Sequence, residues 1–569
     1  MISFDRCAFF THHIKKRGII REKEKVSIAK KIDWAIFLPP ALILLVFVVI
    51  GIVAPDAFNT GASAAFSFTT KYFSWFYALG STFLVAFCLW AGFSKYGKIK
   101  LGGKDAKPEM SFFTWFAVAL TSGIAIGIVY WGVAEPLTNL MSPPGFTGWE
   151  SGGADAAEGA LKFNFLHWGL HPYGIYCAAG LCCAFIIMNG KRRFSITSTL
   201  YPLLGEKSEG IWGKVVSAIC IFAILGGMGT SLGFGVSQFG VGFNYVFGTN
   251  YSDAFLAVFF IGVLVICTIG AACSGLHRAI THVSNANMYI YFALMIWAFL
   301  FGGTLFILNN TTSAIGQYLA FIVPESFYLE PVKQTGWVGG WSIFYWAWWL
   351  SFAPLVGLFL IKLAKGRTIR QFVLVNLLAP TIFAIAWFGI FGSSAMNFQM
   401  NGADIWGAIS EWGSSVALFA YVENLPLTQI LYVLVFLAII FSLLTLMEAQ
   451  TLTLSDMCVK PEYLGEEGSP KASPHVLKVI WGVMMGAVAF VLLISGGLGA
   501  LQTASVVCGL PILIIQIIWA FGYIKSMRQR SRYDLTLTPE EKAELEAEEQ
   551  ANADLKKAKK SKKAKETVA

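Results

Sequence analysis

Residues 341–352 read Trp-Ser-Ile-Phe-Tyr-Trp-Ala-Trp-Trp-Leu-Ser-Phe, and the apolar run they open carries no charge before Lys362. A run of that kind reads as a helix crossing a bilayer, where a segment must satisfy its own backbone hydrogen bonds. At about 100° per residue, Trp341, Tyr345, Trp348, Trp349 and Phe352 fall within roughly a 100° arc, so the helix presents one nearly continuous aromatic wall. Such a wall can hold a cation without a carboxylate. The negative faces of aromatic rings attract quaternary ammonium groups, by on the order of 2 kcal/mol per ring once water is excluded. Ordinary aromatic packing is the alternative reading of the same spacing.

The membrane reading extends outward in both directions. Of the 569 residues, 56% are hydrophobic and 13% charged, and the mean hydropathy of +0.64 lies beyond ordinary soluble domains. Apolar blocks of about 20 residues follow one another, each long enough to cross roughly 30 Å of hydrocarbon as a helix. Barrels are built from short alternating strands, so the chain reads as an all-α polytopic membrane protein. The net charge of +9 does not indicate nucleic acid. Its Lys and Arg residues sit in short loops and tails between apolar blocks, where they set membrane orientation. The ten cysteines lack metal-ligand spacing, and most, such as Cys88, Cys177, Cys182, Cys183, Cys220 and Cys267, fall inside apolar segments, so no disulfide framework is expected. The first thirty residues carry Arg6, Lys15, Lys16, Arg17, Arg21, Lys23 and Lys25 without an apolar core, and read as a basic cytoplasmic tail and not as a cleavable signal peptide.

Twelve spanning helices are placed at 34–54, 72–93, 111–134, 165–188, 211–243, 252–272, 286–308, 341–363, 370–392, 426–451, 475–497 and 502–524. Every even connection is basic: Lys95, Lys98, Lys100, Lys104 and Lys107 follow the second helix, Lys191, Arg192 and Arg193 the fourth, Arg278 the sixth, Lys365, Arg367 and Arg370 the eighth, and Lys460 and Lys471 the tenth. The odd connections carry few Lys or Arg, with Lys71, Lys162 and Lys333 as exceptions. By the positive-inside rule both termini are cytoplasmic, in a multi-pass protein of the cell's inner (plasma) membrane. The organisation is a basic N-terminal tail (1–33), two peripheral helices (34–110), five helices (111–310), an outward connection (311–340), five more helices (341–524) and a charged cytoplasmic C-terminal tail (525–569).

Two outward connections, 312–330 and 401–420, mix apolar residues such as Ile315, Leu319, Ile322, Ile405, Ile409 and Val416 with polar ones and read as interfacial amphipathic helices resting on the membrane surface. Thr538-Pro539-Glu540-Glu541 is a helix-start signature. The tail behind it is acidic from Glu540 to Glu549 and basic from Lys556 to Lys565, which suits a contact with anionic lipid, within a tail expected to be solvated and largely disordered.

The third helix contains Gly123-Ile124-Ala125-Ile126-Gly127, and five helices later the eighth contains Ser351-Phe352-Ala353-Pro354 and Gly357. Interruptions at matching positions are the pattern of transporters built from two inverted five-helix repeats, here helices 3–7 and 8–12, with the substrate between them near the midplane. Tight packing with a Pro kink explains each motif taken singly. A second aromatic cluster, His167-Trp168-Gly169-Leu170-His171-Pro172-Tyr173-Gly174-Ile175-Tyr176, opens the fourth helix. On an unbroken helix Trp168 and Tyr176 lie within about 80°, with Tyr173 further round beside the Pro172 break.

These residues resemble the betaine/carnitine/choline transporter family, over roughly residues 30–527. The resemblance rests on Tyr345-Trp346-Ala347-Trp348-Trp349, Gly366-Arg367-Thr368-Ile369-Arg370, His167-Trp168-Gly169-Leu170-His171-Pro172, Trp131-Gly132-Val133-Ala134-Glu135-Pro136 and Gly229-Thr230-Ser231-Leu232-Gly233. It implies a LeuT-like fold of twelve transmembrane helices with two inverted five-helix repeats, alternating access, a homotrimer and a small methylated-ammonium substrate. The aromatic box then corresponds to Trp168, Tyr173, Tyr176 and Trp349, with Trp348 and Phe352 lining the path, and Phe352 stands where relatives often have Trp or Tyr. The glycine stretch ends at Gly127, where choline-type members often have Asp, which leans toward a zwitterion such as betaine or carnitine. Backbone groups at Gly123, Ala125 and Gly127 are suited to the substrate carboxylate.

For the coupling ion the resemblance implies Na+ or H+ and no other cofactor. Sodium-coupled relatives place hydroxyl residues in the fifth and tenth helices, because a hard cation needs oxygen ligands. This chain departs at both, with Ile224 and Met228 in the fifth and Thr445-Leu446-Met447-Glu448 in the tenth. Thr121, Ile124 and Thr445 are left as a degraded sodium site. Glu448, an acid within a span, is a coupling candidate, with a structural role the alternative, while His282 reads as a hydrogen-bonded histidine at a helix end.

The leading expectation is a secondary transporter of a methylated-ammonium zwitterion. A substrate/product exchanger without ion coupling, a transporter of a dimethylsulfonium or amine N-oxide analogue, and a channel or ligand sensor are the alternatives. A membrane enzyme ranks last, since no motif unites a nucleophile, a base and an orienting acid, and no phosphate-cradling stretch is present.

Overall fold

The computed structural model describes residues 27–112, 114–116, 126–274, 277–463 and 473–568, and among these the secondary structure is helical apart from two isolated β-bridges. The elements are α1 (Trp34–Val53), α2 (Pro55–Phe93), α3 (Ile126–Met141), α4 (Ala154–Trp168), α5 (Leu170–Ala184), α6 (Ile211–Phe247), α7 (Asp253–Ser274), α8 (His277–Phe301), α9 (Thr304–Phe327), α10 (Gly339–Ala364), α11 (Ile369–Met400), α12 (Ile405–Trp412), α13 (Ala417–Val422), α14 (Thr428–Met457), α15 (His475–Met527) and α16 (Pro539–Val568).

Ten helices among the described residues are long and apolar enough to cross a membrane. Two features separate this number from twelve. The start of the helix expected at 111–134 lies largely outside the described residues, and the helices expected at 475–497 and 502–524 run together as α15. At 53 residues α15 would be about 80 Å long if straight, far more than a bilayer's hydrocarbon. It is not straight, because Gly497 has φ 53 and ψ −133, a conformation open to glycine.

The packing partners show that the chain reverses there. Phe37, early in α1, meets Trp481 at 5.4 Å between ring centroids, and Gly51, late in α1, lies against Val491. The first half of α15 therefore runs parallel to α1. Tyr77 of α2 donates to the Val506 carbonyl at 2.6 Å, and Phe87, further on, meets Tyr523 at 5.2 Å. The second half runs parallel to α2, and α1 and α2 themselves form a hairpin in which Phe47 and Phe58 lie 4.6 Å apart.

The basic connections gather at one end of the molecule. Leu101 donates its N–H to the Arg367 carbonyl at 2.9 Å, Lys460 to the Lys31 carbonyl at 2.9 Å and Lys104 to the Leu535 carbonyl at 3.2 Å. Asn189, closing a π-turn after α5, donates to the carbonyls of Lys100 at 3.2 Å and Tyr533 at 3.1 Å. The segments entering α1 and leaving α15 both lie at this end, and the first of them borders a cavity of about 600 Å³ lined by Asp33, Lys214, Phe359, Lys362 and Asp456 among others.

Three expectations are corrected. The seventh helix ends at Phe301, because Gly302 and Gly303 (φ 88) turn the chain into α9. Of the two outward connections, 401–420 packs into the protein, with Ile405, Ile409, Val416 and all of α13 buried, whereas α9 is fastened to α4 by a 2.7 Å Lys162–Glu325 ion pair and leaves Leu319, Phe321 and Val323 exposed. The apolar residues of 401–420 find protein partners, which removes the reason for that segment to lie in lipid. The C-terminal tail is a helix, α16, started by a reciprocal cap in which Thr538 N donates to Glu541 at 2.8 Å and Glu541 N to Thr538 Oγ1 at 3.2 Å.

Candidate functional site

The fourth helix is broken at Gly169 (φ −95, ψ −122), one residue after Trp168, and not at Pro172. Only glycine fits, since a Cβ there would stand 2.4 Å from the Phe165 carbonyl oxygen and 2.7 Å from the Tyr318 hydroxyl. The break leaves the first N–H groups of α5 without intrahelical partners. Leu170 donates its N–H to the hydroxyl of Tyr318, on α9, at 3.0 Å.

Across this break three aromatic residues, Trp168 before it and Tyr173 and Tyr176 after it, converge on one ring of α10. Centroid to centroid, Trp349 lies 5.9 Å from Trp168, 5.2 Å from Tyr173 and 4.6 Å from Tyr176, at interplanar angles of 80°, 68° and 57°. Steeply inclined rings present faces and edges around a common centre, the arrangement that attracts a cation. All four are buried, and the Tyr173 hydroxyl has no hydrogen-bond partner among the described residues.

Trp348 completes one side, 6.3 Å from Trp168 and 5.1 Å from Phe234, with its indole N–H donated to Ser231 Oγ at 3.0 Å. Gly127 sits where these two indoles meet, and a Cβ there would be 2.8 Å from Trp168 Cη2 and 2.9 Å from Trp348 Cη2. Gly123, Ala125, Thr121 and Ile124 lie outside the described residues. Phe352 packs on Gly227 of α6 one turn further along α10, toward the basic end, and makes no ring contact with the cluster among the described pairs.

The aromatic wall runs on from the cluster, with Trp341 6.1 Å from Tyr345 and Tyr345 6.5 Å from Trp348 and 5.1 Å from Trp168. Trp341 and Tyr345 face Trp131, at 5.4 and 5.7 Å, and Tyr345 stacks on His167 at 4.9 Å. Trp346, on the other side of α10, stacks on His171 at 4.8 Å and 19°. Helical spacing placed these residues on one arc; the neighbouring helices assign them to different partners.

A buried polar chain behind the rings escaped the sequence reading. Glu135 of α3 accepts the Trp168 indole N–H at 2.8 Å on one carboxyl oxygen and meets His167 Nδ1 at 2.6 Å on the other. His167 Nε2 is 2.9 Å from Ser342 Oγ of α10. Serine, imidazole and carboxyl thus stand in the order of a hydrolase triad, but Trp168 takes the second carboxyl oxygen and all three residues are buried. The signal was present in the sequence: an acid inside a long apolar run is costly and marks a paired or functional group.

Of the residues read as a degraded sodium site, Thr121 and Ile124 lie outside the described residues. At the fifth-helix positions where sodium-coupled relatives place hydroxyls, Ile224 and Met228 are fully buried and their side chains carry no oxygen. The Thr445 hydroxyl donates to the Phe441 and Ser442 carbonyls of its own helix, at 2.8 and 3.1 Å. Glu448 is buried in α14, and His282 is exposed on α8.

The sequence matches the family described as BCCT, betaine/carnitine/choline family transporter, over residues 35–532. It is 36% identical over 507 residues to the probable glycine betaine transporter of Desulfitobacterium hafniense, covering 88% of this chain and 99% of that one. To the glycine betaine transporter OpuD of Bacillus subtilis it is 37% identical over 486 residues, 85% and 92% of the two chains. To the ectoine/hydroxyectoine transporter of Virgibacillus pantothenticus it is 34% identical over 493 residues, 86% and 96%. These relatives are transporters and not enzymes. Matched from the first spanning helix to the end of the last, the chain belongs to the betaine/carnitine/choline family of transporters.

Proposed function

We propose that this protein is a secondary active transporter that carries a quaternary or methylated ammonium zwitterion, of the glycine betaine or carnitine type, across the cell's inner membrane by alternating access. Trp168, Tyr173, Tyr176 and Trp349 enclose the cationic head, and backbone groups of Gly123, Ala125 and Gly127 receive the carboxylate. Trp348 and Phe352 line the path toward the basic end. The observation that carries this reading is the convergence of three aromatic residues of the broken fourth helix on Trp349. The names of the relatives, for glycine betaine and for ectoine, agree with a zwitterionic solute.

Twelve spans result when α3 is counted with its undescribed start and α15 is divided at Gly497. Reciprocal packing supports two repeats. The first helix of one set meets the second of the other twice over: Trp387 of α11 donates to the Ile128 carbonyl of α3 at 3.0 Å, and Gly357 of α10 lies against Ala179 of α5. The basic end is assigned to the cytoplasm, with both termini there. Family resemblance makes the assembly a homotrimer.

Coupling is assigned to protons, with Glu448 as the candidate, or to counter-substrate, because the side chains of Ile224 and Met228 offer sodium no oxygen where sodium-coupled relatives place hydroxyls. Purified protein in proteoliposomes, given labelled glycine betaine, carnitine and choline with and without sodium and proton gradients, tests the reading. Saturable uptake or exchange is expected; none of either, for any of the three solutes under any gradient, overturns it.

A further inference from the structure

Glu135 is fully buried, and its two carboxyl oxygens are spent on adjacent residues of the fourth helix, Trp168 at 2.8 Å and His167 at 2.6 Å. A buried carboxyl with unpaired oxygens is strongly disfavoured, so polar partners on both sides are what make its position tolerable. A staple between helices needs only one such bond. Here the bond to Trp168 is made to the nitrogen edge of the indole, while the opposite end of the same ring, Cη2, points at Gly127 and the plane meets Trp349.

We infer that Glu135 is the positioning residue that sets the affinity of the aromatic cage for a cationic head, acting through the indole of Trp168. Two effects combine. The bond holds the ring in one rotamer against its own conformational freedom. A carboxyl oxygen accepting the N–H also pushes electron density into the ring, and the ring face is what attracts the cation. In a buried site of low effective dielectric both effects are larger than in water. His167 holds the second oxygen and is held in turn by Ser342 of α10, so the carboxyl is aimed by the helix that carries Trp349.

This inference rests on the proposed function, and the test separates the two. Glycine betaine is titrated by intrinsic fluorescence into purified full-length protein, wild type, E135Q, Trp168→Phe and the double variant. Absence of binding to wild type defeats the proposed function and is seen in the first titration. With wild-type binding present, E135Q is expected to weaken affinity at least tenfold, and Glu135→Asp, which keeps the carboxyl, by less. In the Trp168→Phe background, which has no indole N–H to hold, E135Q is expected to change affinity less than twofold. Equal losses in both backgrounds, or no loss in either, overturn the inference. Should E135Q not be recovered from the membrane, the cycle is run with Glu135→Met, similar in volume and without a polar group, under the same two criteria.

Discussion

The hydroxyl of Tyr318 accepts the backbone N–H of Leu170 at 3.0 Å, so a side chain from an outward connection closes the break in the helix that carries the cage. Tyr318→Phe removes the acceptor and leaves the Leu170 N–H without a partner, at a cost of about 1–3 kcal/mol. A lowered thermal midpoint in detergent is expected, together with weaker binding of glycine betaine. An unchanged midpoint would show that the break is held by other means.

Trp349 is the ring that the other three share. Trp349→Leu keeps an apolar side chain at the centre of the cage but removes its π face. Loss of one ring contact worth on the order of 2 kcal/mol corresponds to roughly a 30-fold weaker affinity. Membrane abundance should match wild type, and equal affinity in the variant would place the site elsewhere.

Gly127→Ala introduces a methyl group between two indole edges, at 2.8 and 2.9 Å. Overpacking of this kind costs about 1–3 kcal/mol. Because the displaced groups are Trp168 and Trp348, the loss is expected in substrate affinity, of about tenfold or more, and to a lesser degree in stability. Titration of both variant and wild type decides it: full affinity in Gly127→Ala would show that the two indoles do not shape the site.

The turn at Gly497 meets no neighbouring atom that a methyl group would strike, so its glycine is required by conformation alone. With φ 53 and ψ −133, alanine is strained by about 1–3 kcal/mol. Gly497→Ala is expected to lower the thermal midpoint without altering affinity. A variant as stable as wild type would mean that the chain turns differently there.

Replacing sodium with potassium on both sides of the membrane is expected to leave uptake within about twofold, since the side chains of Ile224 and Met228 offer no oxygen and the Thr445 hydroxyl is bonded within its own helix. Strict dependence on sodium in a proteoliposome assay would contradict this.

Hydropathy and charge spacing are local quantities, and from them the sequence by itself determined the membrane class, nearly all of the spans and the placement of basic connections together at one end. Helical period picked out Trp349 and the cluster from Trp168 to Tyr176, because residues within one helix keep their angular relation wherever the helix goes. The period failed where the helix itself failed. It left Tyr173 turned away from Trp168, and only the break at Gly169, capped by Tyr318 from a distant element, turns both toward Trp349. It rightly joined Trp341 and Tyr345 to the wall that reaches Trp348, but gave no sign that Trp131 of another helix packs on that end. Glu135 stood unread in the apolar run, since its meaning lies in two donors more than thirty residues away and a serine on another helix. Contacts between helices depend on how whole elements pack, and neither composition nor periodicity carries that information; the tertiary structure alone decided which aromatic residues share a cage and which carboxyl stands behind it.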